Sequence, residues 1–544
     1  LSIRRQRQMC IRDRFPFSYL EDEGISDEFK QFLRRDAGII GHGLKKLIRS
    51  LLALDFPTPK IIMDTEIAAY LLNPSRNSYL LNDLLQEYAK LSVQTGPGIS
   101  DGQLDLDSQG DSNMQQIAIE AASIALLHKP LENLLKEEGL EQLNNEIELP
   151  LINVLAEMEF SGIQVDLEGL KRLRDRLESE VSNIRKKVHQ LAGQEFNVNS
   201  TKQLQQVLFT DLNLEPRKKT KTGFSTDAQT LEKMRGDHPI IEELLEYREV
   251  EKLRSTYGQG LLNEVGSDER IRATFHQTVT ATGRLSSVSP NLHNIPVRTE
   301  KGKVFREVFV AQNNHRLLVA DYNQIELRCI AHLSSDPGLI NAFNDGQDIH
   351  TATAAQVFGV NDADVTKAQR EKAKMVSYGL AYGMEAYGLA QRLGIENKEA
   401  AKILTDYFSA FPSVKEYMEK AVNEAKEKGF TETLFGRKRK IPELKSSNSR
   451  VRGAAERQAM NAGIQGLAAD IFKVALVNLN KRLKDDNLDS AIILQVHDEV
   501  ILECPMDELA HAKELTLEEM ESAFNLKVPL EVHMSSGMTW AEAK

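Results

Sequence analysis

Two apolar runs, far apart in this chain, each deliver a carboxylate at one end, and that pattern restricts the fold more than any other feature. Leu317-Leu318-Val319-Ala320 leads into Asp321, while Ala491 to Leu494 and Val500 to Leu502 flank the run Val496-His497-Asp498-Glu499-Val500. Short apolar runs bounded by turn signals read as buried strands, so the second pair reads as a hairpin with Asp498 and Glu499 at its tip. Acidic residues also favour hairpin turns for backbone reasons alone, and the hairpin in isolation decides nothing. Asp321 changes this. Carboxylates from separate elements of one sheet are what two-metal phosphoryl chemistry needs, with ions about 3.5 to 4 Å apart clamping the attacking and leaving oxygens. The stretch from Pro337 to Lys428 between them is mostly helical in pattern, so the sheet must carry a helical insertion.

A chain of 544 residues exceeds one ordinary core, and about 150 residues per domain predicts three or four domains. Hydrophobic residues make up 41% and charged residues 27%, as in a globular protein. No apolar run approaches the roughly 18 residues that cross a bilayer, and no signal-peptide pattern opens the chain. Cys10, Cys329 and Cys504 have neither metal-ligand spacing nor a disulfide framework, which fits a reducing cytoplasm. The net charge of -12 argues against a protein that coats nucleic acid indiscriminately, but it does not exclude a local basic groove. Basic clusters occur at Arg172, Arg174, Arg185, Lys186 and Lys187, at Arg217, Lys218, Lys219 and Lys221, and at Arg437, Lys438, Arg439 and Lys440. Such runs are usually solvated faces; only their company gives them meaning.

Leu1 to Arg14 is basic, lacks periodicity and is set aside as an appended or misread segment. Strand-like and helical patterns alternate from Phe15 to Leu140, interrupted by a polar loop from Gln94 to Asn113. Glu146 to Tyr257 is helical, with Leu170, Leu173 and Leu177 on one face, and reads as a long antiparallel arm. Within Thr366 to Tyr382, Arg370, Lys374, Tyr378 and Tyr382 recur every four residues and form one helical stripe drifting about 40° per step. Two cations suited to phosphate oxygens followed by two aromatic faces make a nucleotide ladder, although aromatics at this spacing also build cores. Arg457, Asn461 and Gln465 form a second stripe, ahead of the apolar helix Ile471 to Leu483. Polar donors along one face suit the minor groove, whose N3 and O2 acceptors occur in every base pair; an ordinary polar helix face has the same pattern.

These segments together resemble the bacterial DNA polymerase I family. The resemblance rests on Thr282-Gly283-Arg284-Leu285-Ser286-Ser287, on Pro290-Asn291-Leu292-His293-Asn294-Ile295-Pro296, on the Asp321 segment, and on the runs Arg370 to Gly383, Asn461 to Asp470 and Gln495 to Glu499. It implies a multidomain chain of α/β and α+β architecture, a right-hand polymerase preceded by a ribonuclease H-like exonuclease-type domain. The expected layout is residues 15–145 for that domain, 146–265 for the thumb, 266–333 and 435–544 for the palm, and 334–434 for the fingers.

The resemblance further implies that Asp321 and Asp498 hold two magnesium ions, with manganese able to substitute, and that Glu499 assists. It assigns Arg370 and Lys374 to the triphosphate, Lys374 also as proton donor to pyrophosphate, Tyr378 to the sugar and Tyr382 to the templating position. His350 and Gln324 join the nucleotide site, and Glu326 crowds the 2′ position against ribonucleotides. Arg284, Asn291, Asn294, Arg457, Asn461, Gln465 and His497 would contact the primer-template. The implied partners are primer-template DNA and deoxynucleoside triphosphates, with no membrane, and the implied state is a monomer in the bacterial cytoplasm at the nucleoid.

Several positions depart from the family pattern. Tyr378 stands where phenylalanine is frequent, and Glu371 replaces a second arginine. The exonuclease motif Asn-Leu-Lys-x-Asp reads Gly43-Leu44-Lys45-Lys46-Leu47, and Tyr-x-x-x-Asp reads Ile117 to Ala121, so both aspartates are missing. Asp64-Thr65-Glu66 imitates the first motif out of order and is read as structural. The expectation is a chain that does not proofread. The 5′-nuclease domain that often precedes this polymerase is absent from the sequence, with truncation the expected reason. Two other readings remain open at this point: a non-catalytic nucleic-acid-binding scaffold, against which the three acids count, and a single-subunit RNA polymerase, against which Glu326 counts.

Overall fold

The computed structural model describes residue 20 and residues 22–92, 109–220, 223–295, 300–381 and 383–544, with the side chains of 109–115, 300–301 and 381 excepted. The opening Leu1 to Arg14 therefore lies outside the described residues, as does most of the Gln94 to Asn113 stretch. The end of that stretch differs from expectation, because a helix begins at Gln109 and runs to Glu137. Two compact units divide the chain: Leu1–Ser161 with Phe275–Ser287 and Leu318–Ser535, and Gly162–Thr274 with Val288–Leu317 and Ser536–Lys544.

In the first unit, β1 (Ile39–Gly41) pairs in parallel with β2 (Ile61–Asp64), and helices α1 (Lys45–Ala53) and α2 (Thr65–Leu72) follow them. The α/β alternation is present in reduced form. Asp64 ends β2 and caps α2: its carboxylate accepts from the backbone N–H groups of Leu44 at 2.6 Å, Glu66 at 2.9 Å and Gly43 at 3.1 Å. Such a cap satisfies amides that a helix start otherwise leaves without partners. Behind it, Ile67 to Leu72 are all buried, and so is α3 (Leu149–Ser161) along most of its length.

The second unit contains a three-stranded sheet ordered β4 (Arg270–Ile271), β3 (Ile163–Val165), β5 (Phe309–Val310). Its longest helix, α4 (Leu167–Ala192), starts at the capping residue Asp166 and stops at Gly193, whose φ of 69° is the left-handed conformation that ends helices. Leu170, Leu173, Leu177, Val181, Ile184 and Val188 are buried in the i, i+3/i+4 rhythm of one face, and α5 (Pro239–Leu253) packs on it. The strand-like pattern of Ile271 to Thr280 folds as two short pieces, Arg270–Ile271 and Thr274–His276.

The remainder of the first unit is built on β6 (His315–Tyr322), which is followed by a helical insertion that includes α6 (Ile325–Ser334), α7 (Ile349–Phe358) and α8 (Lys367–Ala381). The long helix α9 (Ser449–Asp485) comes next, then β7 (Ala491–Val496), β8 (Glu499–Pro505) and β9 (Val532–Gly537). The four strands form one sheet in the order β7-β8-β6-β9. So the two acid-bearing apolar runs share a sheet across a helical insertion. β7, β8 and the middle of β6 are largely apolar and buried, and α3 and α9 pack against β7. By length and composition α9 is apolar enough to cross a membrane, but 72% of its apolar window is buried inside the protein, as in a core helix.

Arg437 corrects the reading of its basic cluster. Instead of facing solvent with Lys438, Arg439 and Lys440, its side chain is buried in an ionic network: it bonds Glu148, donates to Asp470 at 2.7 Å, and shares Glu148 with the equally buried Lys473, also at 2.7 Å. A guanidinium with two carboxylate partners can be buried where a lone one cannot.

Candidate active site

At the C-terminal end of β6 the chain turns sharply into α6. Asp321 is the penultimate strand residue, and Gln324, at a left-handed φ of 58°, sits just before the helix. The backbone N–H of Tyr322 donates to the Asp498 carbonyl at 3.3 Å, which ties the β7–β8 hairpin tip to this end of β6. In that hairpin Val496 pairs with Glu499, so the turn is His497-Asp498 alone. Here the expectation of two acids at the tip fails. Glu499 opens β8 as a strand residue, is 1% exposed, and does not line the cavity in front of Asp498. His497 adopts a left-handed φ of 57°, an uncommon conformation for a side chain of its size. Its carbonyl accepts from Gln495 Nε2 at 2.5 Å.

That cavity, of about 420 Å³, gathers Asp321, Asp498, Gln324 and Glu326 on one side and His350, Arg370, Lys374 and Tyr378 on the other. Three residues of the α8 stripe thus share one cavity with the two acids. Tyr382 lies outside the described residues. Tyr322, Asn323, Ile325 and His533 also line it and were given no site role from the sequence. Another missed residue acts from behind. Asp348 caps α7 through the amides of His350 (2.9 Å) and Thr351 (3.2 Å), and also accepts from Arg370 at 2.6 and 2.9 Å. The Asp-x-His-Thr pattern ahead of an apolar helix is a capping signal, but nothing local announces a bond to Arg370.

Two groups in this cavity hold chemistry in reserve. His350 is 3% exposed, its ring centroid is 5.6 Å from that of Tyr378, and its Nδ1 has no hydrogen-bond partner among the described residues. Burial pushes its pKa down to about 4 against the pull of Asp348, so it is a neutral imidazole at neutral pH. Glu326, 7% exposed, bonds the Arg284 guanidinium.

The His350 shift fixes the sign of a pH effect. The unfolded chain takes up a proton near the ordinary value of about 6.5, whereas the folded chain does so only near 4. Folding stability from this group is therefore lost as pH falls from 6.5 toward 4. Urea denaturation at pH 7 and pH 5 should show a smaller drop for His350→Gln than for the parent; equal drops would contradict the assignment.

The second polar stripe lies beside the first. Gly383, just past α8, has φ 65°, and a Cβ there would come within 2.9 Å of Asn461 Nδ2 and 3.1 Å of Arg457 Cβ. Only glycine lets that turn rest on α9 so closely. Arg457 pairs with Glu385 at 2.7 Å, and Asn461 Oδ1 is buried without a partner among the described residues. At Gly466, next to Gln465, a Cβ would meet Thr433 at 2.5 Å and the Thr282 carbonyl at 3.6 Å, so the segment bearing Arg284 passes beside this helix. Asn291 and Asn294 belong to the second unit, where Asn291 caps the short turn Leu292–Asn294 by accepting from the His293 amide at 3.1 Å.

Asp321 and Asp498 suit a hard divalent cation. Among the described residues no group of three His, Cys, Asp or Glu side chains converges on a metal position. Magnesium commonly takes one or two carboxylates and completes its shell with water and substrate phosphates, so two acids that share a cavity with the cations Arg370 and Lys374 are a fitting donor set.

The family model for DNA polymerase family A matches residues 167–542. DNA polymerase I of Caldicellulosiruptor bescii is 44% identical over 519 residues, covering 95% of this chain and 59% of the relative. DNA polymerase I of Geobacillus stearothermophilus is 43% identical over 487 residues, covering 89% and 56%. The chain therefore spans a little over half the length of these curated relatives. Among solved structures, the POL domain of Pol1 from M. smegmatis, in complex with DNA primer-template and dNTP, superposes with a TM-score of 0.89 at 40% identity, covering 96% of this chain and 89% of that one.

Proposed function

The chain belongs to DNA polymerase family A, and from that premise we propose that it extends the 3′-hydroxyl of a DNA primer by template-directed addition of deoxynucleotides, releasing pyrophosphate. The observation that carries this reading is the cavity in which Asp321 and Asp498 face Arg370, Lys374 and Tyr378. Phosphoryl transfer asks the protein chiefly for positioning and for neutralising charge on phosphate oxygens, and this wall supplies both.

In this reading Arg370 exchanges Asp348 for the triphosphate, presenting its guanidinium to two oxygens at once. Lys374, one helical turn further on, donates a proton to the departing pyrophosphate. Tyr378 packs on the sugar, and neutral His350 offers a hydrogen bond from its buried edge. Glu326 occupies the space a 2′-hydroxyl would need. Asp321 and Asp498 would hold magnesium, or manganese, which when bound lowers the pKa of the attacking hydroxyl and neutralises the leaving group. Arg284, Arg457, Asn461, Gln465 and His497, with Asn291 and Asn294 of the second unit, would contact the primer-template. The segmentation into exonuclease-like domain, thumb, palm and fingers belongs to the same proposal, as do a monomeric state and a cytoplasmic location. Primer extension by the chain with deoxy- or ribonucleotides tests the whole reading. Extension with deoxynucleotides alone is expected, no extension would favour a binding scaffold, and equal use of both sugars would favour an RNA polymerase.

Tyr378 makes a finer prediction. Its phenol can replace the hydrogen bond lost with a missing sugar 3′-hydroxyl, a bond worth about 1 to 3 kcal/mol in a closed site. The parent should accept dideoxynucleotides readily, and Tyr378→Phe should raise discrimination against them by roughly 10- to 100-fold. Equal incorporation ratios in the two proteins would refute the role.

Proofreading is expected to be absent. Asp64, the first acid of the run that imitates the missing motif, is committed to backbone amides, so Asp64→Ala should lower stability by about 1 to 2 kcal/mol and leave nuclease assays unchanged. Magnesium-dependent trimming of a mismatched primer, lost in that variant, would overturn this.

A further inference from the structure

Lys45 and Glu66, from the two N-terminal motifs that have lost or imitate nuclease chemistry, point their charges at another part of the same unit. Lys45 Nζ bonds both the Phe275 carbonyl and Glu159, whose Oε1 also accepts from the Phe275 amide at 2.7 Å. Glu66 Oε1 accepts from Thr278 Oγ1 at 2.9 Å. One helical turn along α2, the buried Tyr70 hydroxyl donates to the Thr280 carbonyl at 2.9 Å. These partners, Phe275, Thr278 and Thr280, lie three and two residues apart on one segment, a strand end followed by bends. Gln277, between them, is fixed from another direction by the Glu148 side chain at 2.7 Å and its carbonyl at 3.0 Å.

The same segment leads to Arg284. Thr280 Oγ1 donates to the Arg284 carbonyl at 2.7 Å, which closes a tight loop. At its apex Gly283 has φ 85°, and a Cβ there would lie 2.6 Å from Arg437 Nε, so the loop is seated on the buried guanidinium. The Arg284 side chain then reaches Glu326 in the cavity. A continuous series of bonds therefore runs from the N-terminal α/β region to a side chain at the reaction site.

We propose that Lys45, Glu66 and Tyr70 are positioning residues that hold the segment 275–287 and so set the Arg284 guanidinium where the primer terminus is judged, which makes the former nuclease face a strut for the polymerase site. A short strand end carrying a single long side chain has few contacts of its own. Held at three points it presents that side chain in one place. The functional half of this inference rests on the proposed reading of Arg284 as a primer-duplex contact; the structural half does not.

Two isosteric variants test it on the full chain. Tyr70→Phe removes one hydroxyl, and Thr278→Val removes the donor to Glu66 with little change of volume; Thr278→Ser restores that donor. In hydrogen exchange by mass spectrometry, amides of residues 276–287 should exchange at least about tenfold faster in the double variant, with Thr278→Ser close to the parent. In single-turnover extension, discrimination between matched and mismatched primer termini should fall several-fold while the nucleotide Kd stays constant. In an Arg284→Ala background the double substitution should have no further effect on discrimination. Unchanged exchange, or additive effects with Arg284→Ala, would overturn the strut. If the parent itself extends no primer, the proposed function fails instead, and the exchange experiment alone decides whether the strut exists.

Discussion

Asp498→Ala is expected to lower single-turnover nucleotide incorporation by about a thousandfold or more, with primer-template affinity changed by less than a few-fold. Val496–Glu499 pairing leaves only His497 and Asp498 in the turn, and the Tyr322–Asp498 backbone bond sets this turn beside Asp321. In the proposed reading, removing one of two carboxylates that share a cavity with Arg370 and Lys374 takes away a charge used on phosphate in flight, not one used to hold duplex. Charge stabilisation of that kind is worth several kcal/mol, and each 1.4 kcal/mol is about a factor of ten in rate. The assay is rapid-quench incorporation with fluorescence anisotropy for DNA binding, in parallel with Asp321→Ala. A rate within tenfold of the parent would remove Asp498 from the site. Glu499→Gln should be milder, because Glu499 is buried behind the turn and does not face the cavity.

The difference between those two neighbours marks how far the sequence could be read. Apolar runs ending in acids gave the shared sheet and the correct strand for Asp321, because burial on both faces leaves a continuous hydrophobic signature. The four-residue stripe placed Arg370, Lys374 and Tyr378 on one wall, because helical period alone determines which side chains share a face. A two-residue turn is less legible. Shifting the turn by one residue moves every following side chain to the other face, and nothing in His-Asp-Glu says which two residues form the turn. Charges were harder still. Arg437 sits in a run of four basic residues, and only the fold brings Glu148, some 290 positions earlier, into contact with it. The same holds for Asp348 on Arg370 and for Glu326 on Arg284. Partners from distant elements leave no period in a sequence.

The Arg437 network sets the largest expected loss of stability. Glu148 is fully buried and receives bonds from Arg437, Lys473 and Gln277. Burial alone would raise its pKa, but the adjacent Lys473 and Arg437 charges outweigh that and hold it at about 2. Lys473 has the opposite problem. Burial is the dominant effect on it and brings its pKa down to about 8. Glu148→Gln would leave Arg437 and Lys473 buried with Asp470 as their only carboxylate. Removing one member of such a network costs about 3 to 5 kcal/mol, since an uncompensated charge stays in the interior. At roughly 2 °C per kcal/mol for a large unit, the thermal midpoint should fall by about 5 to 10 °C.

The sign with pH follows from the same shift. An acid whose folded pKa is depressed from 4.5 to about 2 contributes stability that is complete above 4.5 and lost as pH falls toward 2. The gap between parent and Glu148→Gln should therefore be fully developed near pH 6 and narrow below about 4.5, and it should also narrow toward pH 8, because Lys473, already held at about 8, loses its proton more readily without Glu148. Replacing Glu148, Arg437, Asp470 and Lys473 together by apolar residues of similar size should cost much less than Glu148→Gln alone, because the desolvation that the ion pairs offset disappears with them. Calorimetry or urea titration of the three proteins measures this directly. A quadruple variant less stable than Glu148→Gln would mean that the four charges are stabilising in their own right. In that case the seat they form under Gly283, and with it the loop that carries Arg284, would depend on ionic attraction and not on packing.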